Sequence, residues 1–156
     1  MNTSEPYVFF ELAGALYGVH SRDVQHVDML EHVTPVPNTA PSLEGVVFSR
    51  GQVVPALNLR VRFGLPREAH TPQTRLIFLR AHQRSVALVV DSAREFRAIA
   101  REEIRPVEET LHGIRGNYLK GVAKVRDRLA FLIDVAAVLA PEEVELPAQA
   151  AVPASD

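Results

Sequence analysis

Cysteine is absent from the 156-residue chain, which excludes disulfides, thiolate metal ligands and cysteine nucleophiles. No charge of one sign dominates: 17 lysines and arginines face 19 aspartates and glutamates, for a formal net charge of -2. That balance leaves no field to draw nucleic acid or an anionic membrane. Basic residues are spread out and not interleaved with aromatics, so no nucleic-acid surface is expected. Long hydrophobic runs are lacking as well; the apolar stretches are strand-sized, too short for a membrane-spanning helix. Met1 to Pro6 is polar and carries Glu5. It has no basic start followed by an apolar run, so no secretory leader is expected. The glycines at Gly14, Gly18, Gly45 and Gly51 are too scattered for a phosphate-binding loop. No serine sits in a nucleophile elbow. The six histidines, His20, His26, His32, His70, His82 and His112, show no zinc-ligand spacing. His20, His26 and His32 could meet in space, but read more simply as surface or partly buried side chains. Asp91 follows the apolar run Leu88-Val89-Val90; it reads better as a strand-end cap on a turn amide than as a catalytic base. The expectation is no catalytic residue, no metal and no cofactor.

Nearly half the residues are hydrophobic, 47%, which marks a globular chain. Its length suits one domain or two very small ones. Tyr7 to Leu12 and Leu16 to Val19 read as a hairpin turned at Ala13-Gly14. Ser21 is placed to cap a short helix through Gln25. Val27 to Val36 is β-compatible but broken by Pro35 and Pro37. Gly45 to Phe48 and Gln52 to Asn58 read as strands joined at Arg50-Gly51, where Gly51 supplies the positive φ of a tight turn. Pro55 donates no ladder hydrogen bond and calls for an exposed side or a bulge. Leu59 to Phe63 suits one helical turn ending at Gly64. The second half repeats the theme with strands over Arg75 to Arg80 and Ser85 to Val90. A weaker strand spans Arg94 to Ala100, and a polar loop follows from Arg101 to Gly116. Tyr118 to Val125 and Arg128 to Asp134 form a hairpin, and Val135 to Leu139 a closing helical turn. From Pro141 to Asp156 the chain is rich in Pro, Ala and Glu and is expected to be a disordered tail.

The halves resemble each other. Gly45-Val46-Val47 falls on Gly121-Val122-Ala123, Arg50 on Arg126, Val53 on Leu129, Leu57-Asn58-Leu59 on Ile133-Asp134-Val135, and Phe63 on Leu139. Val8-Phe9-Phe10 is laid over Leu76-Ile77-Phe78, and Gly18 over Ala87. About five short strands per half read as a small barrel, which removes exposed sheet edges. The fold expected is mainly β: two five-stranded barrels in pseudo-symmetry. Arg50, at a hairpin tip beside apolar strands and near Val24, has the composition of an interface hot spot or of an ordinary exposed arginine.

The ordered set of Tyr7–Leu12, Tyr17-Gly18, Val24, Gly45-Val46-Val47, Arg50-Gly51, Val53-Val54-Pro55 and Leu59-Arg60-Val61-Arg62-Phe63-Gly64 is similar to the CheW domain family. So are Val89-Val90-Asp91, Tyr118-Leu119-Lys120-Gly121-Val122 and Arg128-Leu129 with Leu132-Ile133-Asp134. The resemblance runs from about Tyr7 to Ala140. It implies two intertwined SH3-like barrels with short helices, over residues 7–140. It also implies a non-enzymatic scaffold, cytoplasmic and recruited to receptor arrays at the inner membrane without inserting into it. The partners implied are the regulatory domain of a CheA-type histidine kinase and the cytoplasmic hairpin tip of a chemoreceptor. The receptor groove would involve Val24, Arg50, Gly51 and Phe96; the kinase-binding residues are left unassigned. Departures from the family pattern are Phe48-Ser49 before the Arg-Gly pair and Ala87 for a glycine. A third is His26 in place of a glutamate that pairs with the arginine; either Asp28 takes over that pairing or the bridge is absent. Alternatives are a modulator or array spacer binding one partner in a non-flagellar system, a small barrel enzyme or metal-binding protein using the histidines, and an SH3-like peptide or RNA binder.

Overall fold

The structure is a computed structural model and describes residues 3–81, 83–107 and 118–139. Ten strands run in the order β1 (Ser4–Leu12), β2 (Ala15–His20), β3 (Val24–Met29), β4 (Leu43–Ser49), β5 (Gln52–Asn58), β6 (Arg75–Ala81), β7 (Arg84–Val90), β8 (Ser92–Ala100), β9 (Leu119–Val125) and β10 (Arg128–Ile133). One helical turn, α1 (Leu59–Arg62), follows β5, and another, α2 (Val135–Val138), follows β10. The proposed tail from Pro141 lies outside the described residues, as does most of the loop before Tyr118.

The strands form two five-stranded sheets, β8-β1-β2-β10-β9 and β3-β6-β7-β5-β4. Adding five to each strand of the first half converts one order into the other. Each barrel therefore takes two strands from one half of the chain and three from the other, and the halves are intertwined. The repeat holds in the hydrogen-bond register. The parallel pair β5–β7 sets Ala56 opposite Ala87, and the parallel pair β10–β2 sets Leu132 opposite Gly18. Asn58 and Asp134 match as well, each accepting a backbone N–H at the start of its helical turn, from Val61 and Ala137. The opening strands need a correction of one residue. Phe9 pairs with Gly18 and Phe78 with Ala87, so Phe9 corresponds to Phe78, because pairing and not apolar content sets the register.

Both faces of the central strands are buried, which is why they read as unbroken apolar runs. Alternate residues serve different cores. Tyr7, Phe9, Ala123 and Leu132 fill the first barrel, and Val47, Val54, Leu76 and Phe78 the second. Phe10, Leu12, Tyr17, Leu57, Ile77, Leu79, Leu88 and Ile133 pack between the two. The short helix expected through Gln25 is instead a three-residue 3-10 turn, Ser21–Asp23. His20 caps it through Nδ1, which accepts the Arg22 N–H at 3.1 Å. The chain then leaves into β3 because Val24 pairs with Leu79 of β6. After Met29 no strand continues to Val36; a single bridge joins Thr34 to Val46, matched by Arg105 to Val122 in the other half. Ser92–Ala100 is a full nine-residue strand along β1. At Pro55 the ladder to β7 is absent and starts one residue later, at Ala56.

The Gly18–Leu132 pair shows why the first barrel needs a glycine where the second carries Ala87. A Cβ on Gly18 would lie 2.8 Å from the Phe9 ring and 2.9 Å from Leu132 Cδ2. At the equivalent place Ala87 faces Ala56, which leaves room for its methyl. Gly18→Ala is expected to cost about 1–3 kcal/mol by overpacking, and Leu132→Ala about 2–5 kcal/mol by leaving a cavity. The double variant should cost less than their sum by about 1 kcal/mol or more, as measured in urea melts. Strict additivity would refute the steric exchange.

Ion pairs tie separate elements. Glu5 accepts from Arg101 Nη2 at 2.6 Å and lies 2.5 Å from His20 Nε2. Hydrogen bonds from Arg101, then His20, hold its pKa down at about 2. Burial works to raise Glu44, but Asn58 and Arg67 outweigh it and leave the carboxyl below its usual range. Carboxylates depressed in the folded state stabilise it above their unfolded values and lose that contribution as pH falls through the folded values. Unfolding free energy should therefore drop between the ordinary value of 4.5 and about 2. Glu5→Gln should be less stable at neutral pH and converge with the parent near pH 2. Parallel curves over that range would show that Glu5 contributes nothing.

Candidate docking site

β4 and β5 meet at Arg50-Gly51. Both residues have positive φ, 53° and 79°, so the positive φ is not confined to Gly51. This is the pattern of a type I′ turn, whose twist matches that of the flanking strands. Arg126-Asp127 repeats it between β9 and β10, with φ 58° and 112°. The exposed Arg50 lines a cavity of about 200 Å³ with Gln25 and His26 of β3, Ser49, Gln52, Val54, Phe78 and Ser85. Val24 precedes Gln25, is half-buried and packs against the core between the barrels. The structure thus brings Val24, Arg50 and Gly51 to one barrel. Phe96 stands on β8 of the other, opposite Val8, and is 67% exposed. Sequence reasoning missed Ser85, whose position here follows only from the pairing of β7 with β6.

His26 lies flat on Phe78, with ring centroids 4.1 Å apart and planes 14° apart. Neither ring nitrogen has a hydrogen-bond partner, and both are shielded from solvent. Burial, then the charge of Arg50, holds His26 below the usual histidine pKa, while Asp28 acts in the opposite direction. The net effect favours the neutral ring. Asp28 does not replace the family glutamate: its carboxylate accepts the Met29 N–H at 3.0 Å. Arg50 has no ion pair among the described residues. The departure at Phe48 is an exposed one. Phe48 is 76% exposed, pairs with the exposed Val53, and shares a second cavity with Met29.

Asp91 is the turn cap anticipated for it. Its Oδ2 accepts the Ala13 N–H at 2.8 Å, and Arg60 grips both oxygens at 2.9 and 2.7 Å. The contact pins the β1–β2 turn of one barrel to the helical turn that follows β5 of the other. Among the described residues no group of three or more His, Asp or Glu could hold a metal ion.

The CheW-like domain model matches residues 6–143. The chain belongs to the CheW-like family. The chemotaxis protein CheW of Klebsiella aerogenes is 31% identical over 142 residues, which cover 91% of this chain and 86% of that protein. The chemotaxis protein CheW of Bacillus subtilis is 29% identical over 98% of this chain and 96% of its own length. The crystal structure of the scaffolding protein TtCheW from Thermoanaerobacter tengcongensis superposes with a TM-score of 0.84 at 26% identity. That match covers 92% of this chain and 99% of the other. The CheW-like fold carries two SH3-like barrels, and the two intertwined sheets described above are those barrels.

Proposed function

We propose that this CheW-like chain couples methyl-accepting chemoreceptors to a CheA-type histidine kinase, acting as a scaffold without a catalytic step of its own. One observation carries the reading: a CheW-like domain fills residues 6–143 and folds as that family does. The receptor hairpin docks along Val24, Arg50 and Gly51, with Phe96 contributing from the other barrel. An exposed arginine beside apolar side chains suits a helix-in-groove contact, in which burial drives binding and the charge sets register. The exposed Met29, Phe48 and Val53 support further apolar docking on the same barrel. No helix among the described residues is long and apolar enough to cross a membrane. The chain works in the cytoplasm, and its receptors hold it at the inner membrane.

The test is calorimetry with two purified partners, a CheA regulatory domain and a soluble chemoreceptor hairpin fragment from the same genome. Binding to both is expected. Binding to one alone would make the protein a modulator or array spacer, and binding to neither would overturn the reading.

A further inference from the structure

The two barrels differ where the repeat makes them comparable. Arg126 occupies the hairpin-tip position of Arg50, and Glu95 pairs with Phe9 as His26 pairs with Phe78. In the first barrel Glu95 neutralises Arg126 at 3.0 Å and is also held by Arg97 at 2.9 Å. In the second barrel the carboxylate is missing. Arg50 has no counter-charge among the described residues, and the residues lining its cavity include no aspartate or glutamate. Two of the neighbouring polar side chains are engaged with each other, Ser85 Oγ donating to Gln25 Oε1 at 3.1 Å. His26 offers Arg50 no negative charge, and its two unpartnered ring nitrogens are shielded from solvent. An arginine offers a planar fork shaped for a carboxylate.

We propose that the cavity between Arg50 and His26 receives an aspartate or glutamate side chain of the docking receptor hairpin, which fills the place that Glu95 takes beside Arg126 in the other barrel. The inference rests on the receptor reading above and adds the chemistry of the partner. The incoming carboxylate accepts from the exposed Arg50 guanidinium, beside the His26–Phe78 stack, where His26 brings no carboxylate of its own. Docking covers the Arg50 charge, and a covered charge left unpaired is costly, so a hairpin without an acid at that register binds less well.

The experiment measures calorimetric binding of the full chain to the soluble hairpin fragment, with each acidic residue of the tip changed singly to its amide. One such change should weaken binding about tenfold or more. The His26→Glu variant, which carries its own carboxylate for Arg50, should bind the parent hairpin about tenfold more weakly and be indifferent to that change. Arg50→Gln, at an exposed site, gives the same indifference without touching the Phe78 stack, and thermal melts confirm that both variants fold. If no amide change alters affinity more than twofold while the parent hairpin still binds, the carboxylate inference falls and the receptor reading stands. If the parent hairpin does not bind at all, both fall.

Discussion

Gly45→Ala is expected to cost about 3 kcal/mol or more and to lower the melting midpoint by on the order of 10 °C. A Cβ at Gly45 would overlap the carbonyl oxygen of Thr34, at a φ of 153° that an L side chain rarely adopts. Unlike a side-chain tip, that oxygen cannot swing away. It accepts the Val46 N–H at 2.8 Å, and the Thr34 N–H returns to Val46 at 2.9 Å. These two bonds fasten the segment after β3 to the edge of β4. Separating them loosens a segment whose Leu30 and Val33 pack on the second core and leaves backbone groups unpaired, each a further penalty. The repeat supplies a control. Gly121 sits under the matching Arg105–Val122 bridge, but its added Cβ would meet Ile104 Cγ2 at 3.0 Å and the Arg105 oxygen at 3.1 Å. Gly121→Ala should therefore be the milder change in a side-by-side thermal melt. Equal losses would show that the bridge geometry does not set the penalty.

Arg50→Glu should remove receptor binding, with a loss of at least about 100-fold, or about 2.7 kcal/mol. The guanidinium is the sole positive charge lining the cavity beside His26, and reversing it sets a carboxylate against the acid proposed to enter. Stability should hardly change, within about 0.5 kcal/mol, because Arg50 is exposed and ends no described ion pair. Pull-down with the hairpin fragment, beside a urea melt, separates these effects. Parental binding by Arg50→Glu would take Arg50 out of the docking surface. Weak binding together with a large stability loss would trace the effect to folding instead.

Most strand runs and the helical turns at Leu59 and Val135 could be read from the chain, because each depends on neighbours a few residues away. The repeat could be read too, since matched strands carry matched apolar and glycine positions. The exchange of strands between barrels was implied by the resemblance to the CheW family and not by the strand pattern itself. A strand with two apolar faces packs equally well whichever partner lies beside it, and its own residues do not record the choice. The 3-10 turn after His20 escaped for a related reason: Ser21 is a good cap in isolation, but pairing of Val24 with Leu79 pulls the chain into β3 before a helix can grow. Arg50 stood out as a candidate from its hairpin tip alone. Its setting did not, because Ser85 and Phe78 reach that cavity from strands distant in sequence. By itself the sequence determined the elements, the doubling and the family. Tertiary structure alone decided which strands share a barrel, and so which of two equivalent arginines has a carboxylate beside it and which is left to a partner, because those contacts join residues far apart in the chain.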